Sequence, residues 1–261
     1  MLKKYIKIWW LYAINSFEVQ MVVRWALLVF LLVKILRFAI FTFFIIILVK
    51  KTTVLAGYTL DETILFFLSF NLVDILAQLI LREVYRFRPA IVTGTFDFYL
   101  IKPINPLFRA LFAGPDFIDF FTLIPLILAI GYFINRLNIT DPFTITVYIL
   151  LITVGFTIAL SFHILVLSLA VVTTEIDHAI MVYRDIAGMG RMPIDIYMEP
   201  IRGFLTFIIP VGIMMSFPAK ALLGLLSPLN IIYAILFAVS LLIISLKIWN
   251  WSLKQYSSAS S

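Results

Sequence analysis

Long apolar runs separated by short polar breaks organise this chain, and the length of each run carries more information than its periodicity. A helix rises ~1.5 Å per residue, so about 20 apolar residues cross ~30 Å of hydrocarbon. Six stretches qualify: 28–49, 62–81, 116–134, 144–173, 200–216 and 229–249. The fourth exceeds the bilayer and must tilt or protrude. The fifth is short, carries Gly203, Pro210 and Gly212, and runs into Phe217-Pro218-Ala219-Lys220-Ala221-Leu222-Leu223-Gly224. Broken backbone at membrane depth needs shelter from other protein, because unpaired peptide groups cannot face lipid. A re-entrant element is therefore expected at 217–227, between spans five and six.

Before the first span the pattern changes. On a helical wheel Lys3, Lys4, Lys7, Asn15 and Glu18 share one arc, and Leu2, Tyr5, Ile6, Trp9, Tyr12, Ala13 and Phe17 share the other, with Leu11 out of place. This predicts a helix over 1–24 in the headgroup plane, Lys toward anionic lipid and Trp and Tyr at the boundary. A basic start resembles a secretion signal, but Lys7, Asn15, Glu18 and Arg24 interrupt any apolar region and no small-residue cleavage site follows.

Composition agrees with the runs. Of 261 residues 63% are hydrophobic, and the mean hydropathy is +1.11. That is more apolar surface than a soluble core of this size can hide. Barrel strands would alternate over short segments, so the expected class is all-α: a polytopic membrane protein forming one domain over 1–261, with a disordered tail at 255–261. Cysteine is absent and there are two histidines, His163 and His178. This leaves no thiolate ligand or nucleophile and too few imidazoles for a typical transition-metal site, so no metal is expected.

Charge sets the expected orientation. On the side of the N-terminus lie Lys3, Lys4, Lys7, Arg24, Arg82, Arg86, Arg88, Lys102, Arg109, Arg184, Arg191, Arg202, Lys247 and Lys254. Lys50, Lys51, Arg136 and Lys220 lie opposite, and Lys34 and Arg37 fall inside the first span. The positive-inside rule then puts both termini and the 82–113 connector in the cytoplasm. Asp116 and Asp119 suit the start of the third span, and Trp249 and Trp251 bracket the last interface. Basic residues at membrane edges are explained by lipid headgroups, and no nucleic-acid partner is expected.

Polar residues inside the spans are few. Asn71, Asp74, Gln78 and Arg82 follow a 3-4-4 spacing and share one helix face. A carboxylate near mid-membrane costs on the order of 3 kcal/mol, so this face should look into the bundle. Arg37 lies at a comparable depth and is expected to pair with Asp74. The alternative is that Lys34 and Arg37 snorkel to the interface and Asp74 bonds elsewhere. His163 reads as a helix-packing residue. The stretch Glu175–Gly188 reads as a short amphipathic helix at the interface or a second docking contact.

The chemistry of nucleotide hydrolysis is missing. Gly188-Met189-Gly190-Arg191 lacks the spacing and the lysine of a phosphate loop, and no Gly-x-Ser-x-Gly or His-Glu-x-x-His motif occurs. The connector is the most distinctive segment: Arg82-Glu-Val-Tyr85-Arg86-Phe87-Arg88-Pro89-Ala-Ile91 leads to Gly94-Thr95-Phe-Asp-Phe-Tyr-Leu100-Ile-Lys102-Pro103-Ile-Asn-Pro106. With Pro193-Ile-Asp-Ile-Tyr197, Phe207-Ile-Ile-Pro210-Val and Phe217-Pro218-Ala219, it resembles the permease subunit of ABC-2 type ABC transporters. The resemblance covers nearly the whole chain.

It implies a coupling helix, here about Arg82–Thr93 and ended by Gly94, seated in a groove of a separate ATP-binding subunit. Carried over, Arg86 and Arg88 would meet acidic groove residues, Tyr85, Phe87 and Ile91 would fill apolar pockets, and Gly94 and Thr95 would complete the docking surface. Pro89-Ala90 departs from the family pattern and implies a helix that begins or kinks at Pro89. The resemblance further implies an exporter of a prokaryotic cell membrane, a second permease subunit, lipid surroundings, and ATP and Mg used only by the partner; this chain would bind no cofactor and be no enzyme. An ATP-independent secondary transporter or channel is the alternative, to which the broken fifth span would belong.

Overall fold

The computed structural model describes residues 2–173 and 176–257. Helices α1 (Leu2–Val22), α2 (Arg24–Thr52), α3 (Leu60–Leu81), α4 (Arg88–Val92), α5 (Asp97–Leu100), α6 (Pro106–Phe112), α7 (Phe117–Arg136), α8 (Pro142–Thr173), α9 (Ile176–Gly188), α10 (Ile201–Gly203), α11 (Phe217–Leu222) and α12 (Pro228–Gln255) follow in order. Among the described residues the only β feature is an isolated bridge between Leu55 and Tyr58. Of the expected tail, α12 extends through Gln255 and 258–261 lie outside the described residues.

Five helices are long and apolar enough to cross a bilayer: α2, α3 with its continuation to Val92, α7, α8 and α12. Their ends are set locally. Thr59 accepts from the Glu62 amide while Glu62 reaches back to the Thr59 amide, so α3 starts in a reciprocal cap. Asp116 accepts from the Ile118 amide at 3.0 Å and caps α7. α3 and α8 form the centre; α2, α7 and α12 leave most of their apolar surface uncovered. At the end away from the connector, Arg136 of α7 meets Asp61 of α3 at 2.7 Å.

The sixth passage differs from the expected 200–216. At the connector end Arg88 pairs with Asp177 at 3.5 Å. At the opposite end Tyr58, in the α2–α3 loop, donates to Asp195 at 2.9 Å. The chain therefore climbs from one end of the bundle toward the other between Asp177 and Asp195. α9 carries the first part of this climb to Gly188, and tighter turns at Met189–Arg191 and Ile194–Ile196 carry the rest. Its charged residues reach this depth because they find protein: Arg184 lies over the Tyr85 ring and Arg191 over Phe70.

Residues 201–222 form instead a bent pair, Ile201–Ile208 and Gly212–Leu222, at 81° to one another. The first arm descends beside the start of α12, with Phe207 against Tyr233 at 5.6 Å. The break at 209–211 lies at mid-bundle depth, where Ile209 and Val211 line a crevice with Phe162 and Val166 of α8. The second arm returns to the loop end, where Ala219 is buried with Tyr58 and Phe66. A β-carbon on Gly155 would come within 2.6 Å of the Met214 carbonyl oxygen, so glycine lets this arm press against α8. The re-entrant element thus spans 201–222 and turns at 209–211, earlier than 217–227. The apolar run suggested a span, but the Pro210 break splits it into two short arms.

α1 also departs from its expected surroundings. Tyr5, Tyr12 and Ala13, assigned to the lipid boundary, face protein. Tyr5 stands edge-on to Phe108 at 4.7 Å and Ser16 donates to the Pro115 carbonyl at 2.8 Å. The Lys residues remain exposed. Trp249, expected at the interface, is buried against Phe96 at 6.4 Å.

Candidate functional site

Two regions carry the polar chemistry: the folded connector at one end, and a cavity within the helices.

The connector is a compact cap. α3 passes into a tighter helical turn over Arg82–Arg86, and α4 begins anew at Arg88 with Pro89 in its first turn, where a missing amide is harmless. Gly94 adopts φ 72°, and the Phe96 amide folds back to the Ala90 carbonyl at 2.8 Å. A side chain would be strained there, which explains the Gly94-Thr95 turn. Phe96 is fully buried among Phe87, Tyr99 and Tyr256, with centroids 5.3, 5.7 and 5.1 Å away. Arg109 stacks on Tyr99 at 3.7 Å. Burial, foremost, raises the Tyr99 phenol above its ordinary range although that guanidinium opposes the shift.

Of the residues expected to dock a partner, Arg86, Arg88 and Thr95 are exposed and Gly94 is half-buried. Phe87 and Ile91 are buried within the chain, and Tyr85 lies against the His163 ring at 5.8 Å. Their apolar side chains serve the connector's own packing. The outward apolar residues are Val92, Phe98, Leu100 and Ile101, with Phe98 57% and Ile101 75% exposed. The sequence contained a signal for them: five of the six residues 96–101 are aromatic or aliphatic, more than one small cap can bury.

The connector touches every neighbour. Lys4 donates to the Pro103 carbonyl at 3.1 Å, Arg88 meets Asp177 of α9, Tyr85 meets α8 and Phe96 meets α12. His163 is buried, its Nδ1 2.7 Å from the Ala159 carbonyl, with Tyr183 packed on the ring; it is a packing residue at this junction.

The expected polar face lines a cavity of about 430 Å³ between α2, α3 and α7. Arg37, Asn71, Asp74 and Gln78 are all in its wall, joined by Lys34, Asp119 and Arg191. The anticipated Arg37–Asp74 pair does not form. Gln78 donates to Asp74 at 2.8 Å, Arg82 reaches Gln78 at 3.4 Å and Asp116 at 3.6 Å, so a polar chain runs from the cavity to the connector. Asn71 donates to the Phe67 carbonyl at 2.7 Å. The ion pair across the wall is Lys34 with Asp119, so Lys34 does not snorkel freely. Asp119 was legible only as a helix-start carboxylate; its 1% exposure follows from α2 crossing the first turn of α7. Arg191 was missed as a cavity residue because its segment reads as interfacial.

This layout defines a class: an integral membrane protein with a cavity that carries charged residues and is linked by polar contacts to a folded cap. The chain belongs to the ABC-2 family transporter proteins, whose family model matches residues 12–260. No curated protein and no solved structure matches it. It is thus a membrane component of the ABC-2 transporter family.

Proposed function

We propose that this chain is the permease subunit of an ABC exporter in a prokaryotic cell membrane, working with a separate ATPase subunit that binds ATP and Mg, and with a second permease subunit. The observation that carries this is the connector, a folded cap whose exposed face combines Arg86 and Arg88 with Val92, Phe98 and Ile101. A bare loop would not hold such residues in place, and structured loops of this length tend to be functional. Cation and apolar groups side by side suit an acidic, apolar-floored groove, and Gly94 and Thr95 shape the turn between them.

A displacement of the cap would reach α1, α8, α9 and α12 through the contacts above, and the cavity through Arg82, Gln78 and Asp74. Coupling by a rigid lever needs such continuity. Both termini and the cap would lie in the cytoplasm: the basic residues at the connector end still outnumber those at the loop end after Arg202 moves to the latter. The uncovered apolar faces of α2 and α12 would meet lipid and the second subunit.

The test is co-purification with candidate ATP-binding subunits, wild type against Arg86→Glu/Arg88→Glu. Capture that the double variant loses supports docking through the cap. Capture that survives moves the docking face, and failure with every ATPase favours an ATP-independent transporter, to which the bent 201–222 pair would belong.

A further inference from the structure

The cavity wall holds three cations, Lys34, Arg37 and Arg191, and two carboxylates, Asp74 and Asp119. Lys34 pairs with Asp119 through Oδ1, while Oδ2 has no partner among the described residues. Asp74 receives a hydrogen bond from Gln78 on its own helix. Arg37 and Arg191 have no hydrogen bond or ion pair among the described residues; Arg191 has only the Phe70 ring, 5.9 Å away. They are near enough to act on one another and on Asp74 electrostatically. Arg184 and Asp185 act on the same group, and three guanidiniums against two carboxylates leave one formal positive charge in excess.

The depth of this charge matters. Arg37 sits near the middle of the apolar helix α2 (Arg24–Thr52), one turn beyond Lys34, and is exposed where it lines the cavity. Uncompensated cations at that depth are costly and mark sites where an anion is met. The remainder of the wall is aromatic and aliphatic, with Phe41, Phe67 and Phe121 prominent. We propose that this cavity binds a membrane amphiphile with a singly charged anionic headgroup, Arg37 and Arg191 holding the headgroup and the phenylalanines the acyl chain.

The planar guanidinium fork suits a phosphodiester or carboxylate. The excess of one charge selects a monoanion, because a second negative charge would confront Asp74 without a counterion. Binding is a property of this chain alone and goes beyond the reading of the protein as an ABC permease. It can fail or hold whether or not an ATPase is captured.

The test uses the full chain, delipidated in a neutral detergent and titrated with a single-chain lysophosphatidylglycerol or the lysophosphatidylcholine of the same acyl chain. Retention is read by native mass spectrometry. Preferential retention of the anionic probe is expected, falling about tenfold in Arg37→Gln and in Arg191→Gln, the scale of one charge-assisted hydrogen bond, and unchanged in Lys50→Gln at the far end of α2. Equal retention of the two probes, or equal loss in Lys50→Gln, overturns the proposal. Inorganic phosphate that displaces the probe at equal concentration overturns the amphiphile in favour of a free anion. A diazirine on the acyl chain of the anionic probe supplies a readout that needs no variant: crosslinks at Phe41, Phe67 or Phe121 support the site, and crosslinks confined to the outer faces of α2 and α12 sink it.

Discussion

Tyr58 and Asp195, 137 positions apart, share a 2.9 Å hydrogen bond that ties the α2–α3 loop to the end of the sixth passage. Asp195 also holds Lys220 of the returning re-entrant arm at 2.8 Å. One carboxylate therefore joins three segments that lie far apart along the chain. Asp195→Ala leaves a largely buried ammonium and a phenol without their acceptor. The expected loss is about 1.5–3 kcal/mol, checked by thermal unfolding of the detergent-solubilised protein, with Asp195→Asn intermediate. A melting point unchanged from wild type would detach this carboxylate from the stability of the half that holds the α2–α3 loop.

The same bond makes an alkaline signature. Burial, and then the bond to Asp195, raises the Tyr58 phenol above its ordinary value. A raised folded-state pKa means the unfolded chain releases this proton first. The stabilisation is complete below the unfolded value of about 10 and is lost as pH climbs above it. Tyr58→Phe removes that dependence. Melting curves from pH 8 to pH 11 should fall more steeply for wild type than for Tyr58→Phe, and parallel curves would refute the assignment.

Lys34 and Asp119 offer a cleaner separation of pairing from packing. Asp119 is almost fully buried, and its Oδ2 has no partner among the described residues. Lys34→Met strands the carboxylate and should cost about 3–5 kcal/mol, while Lys34→Met/Asp119→Leu should recover most of that, because an apolar pair replaces an ion pair readily. A double variant no more stable than Lys34→Met would mean that Asp119 holds α7 by another contact.

Close approach of the re-entrant arms depends on glycines at contacts without slack. A β-carbon on Gly190 would stand 2.7 Å from the Met215 side chain, and one on Gly155 2.6 Å from a backbone oxygen. Gly155→Ala meets backbone and should cost about 1–3 kcal/mol, whereas Gly131→Ala, with open space around it, should be neutral or slightly stabilising. Thermal shifts of the two variants side by side decide this.

Phe96 is the keystone of the cap. Phe96→Ala removes a fully buried ring shared by Phe87, Tyr99, Trp249 and Tyr256 and should cost about 3–5 kcal/mol of local stability. Hydrogen exchange should accelerate over 88–113 before it does in α3 or α8. Uniform acceleration would show that the cap has no stability of its own.

Run length alone located α2, α3, α7, α8 and α12, because an apolar stretch of about 20 residues has few stable alternatives to a membrane helix. The 3-4-4 spacing likewise placed Asn71, Asp74 and Gln78 on one face, since helical periodicity is a local property. Gly94 and Pro89 marked the turn and the restart of the cap for the same reason: both act through backbone geometry at a single position. What surrounds a charge is not local. Residues 175–188 carry Asp177, Arg184 and Asp185 and read as interfacial or as a docking contact, whereas 200–216 are apolar and read as a span; the fold exchanges those roles. Tyr85, Phe70 and the Tyr58–Asp195 bond make depth tolerable for the first and its continuation to Asp195, and the break at Pro210 folds the second back on itself. The partner of Lys34 was decided the same way, by the crossing of α2 over α7, because a long side chain pairs with whichever carboxylate tertiary packing brings within reach.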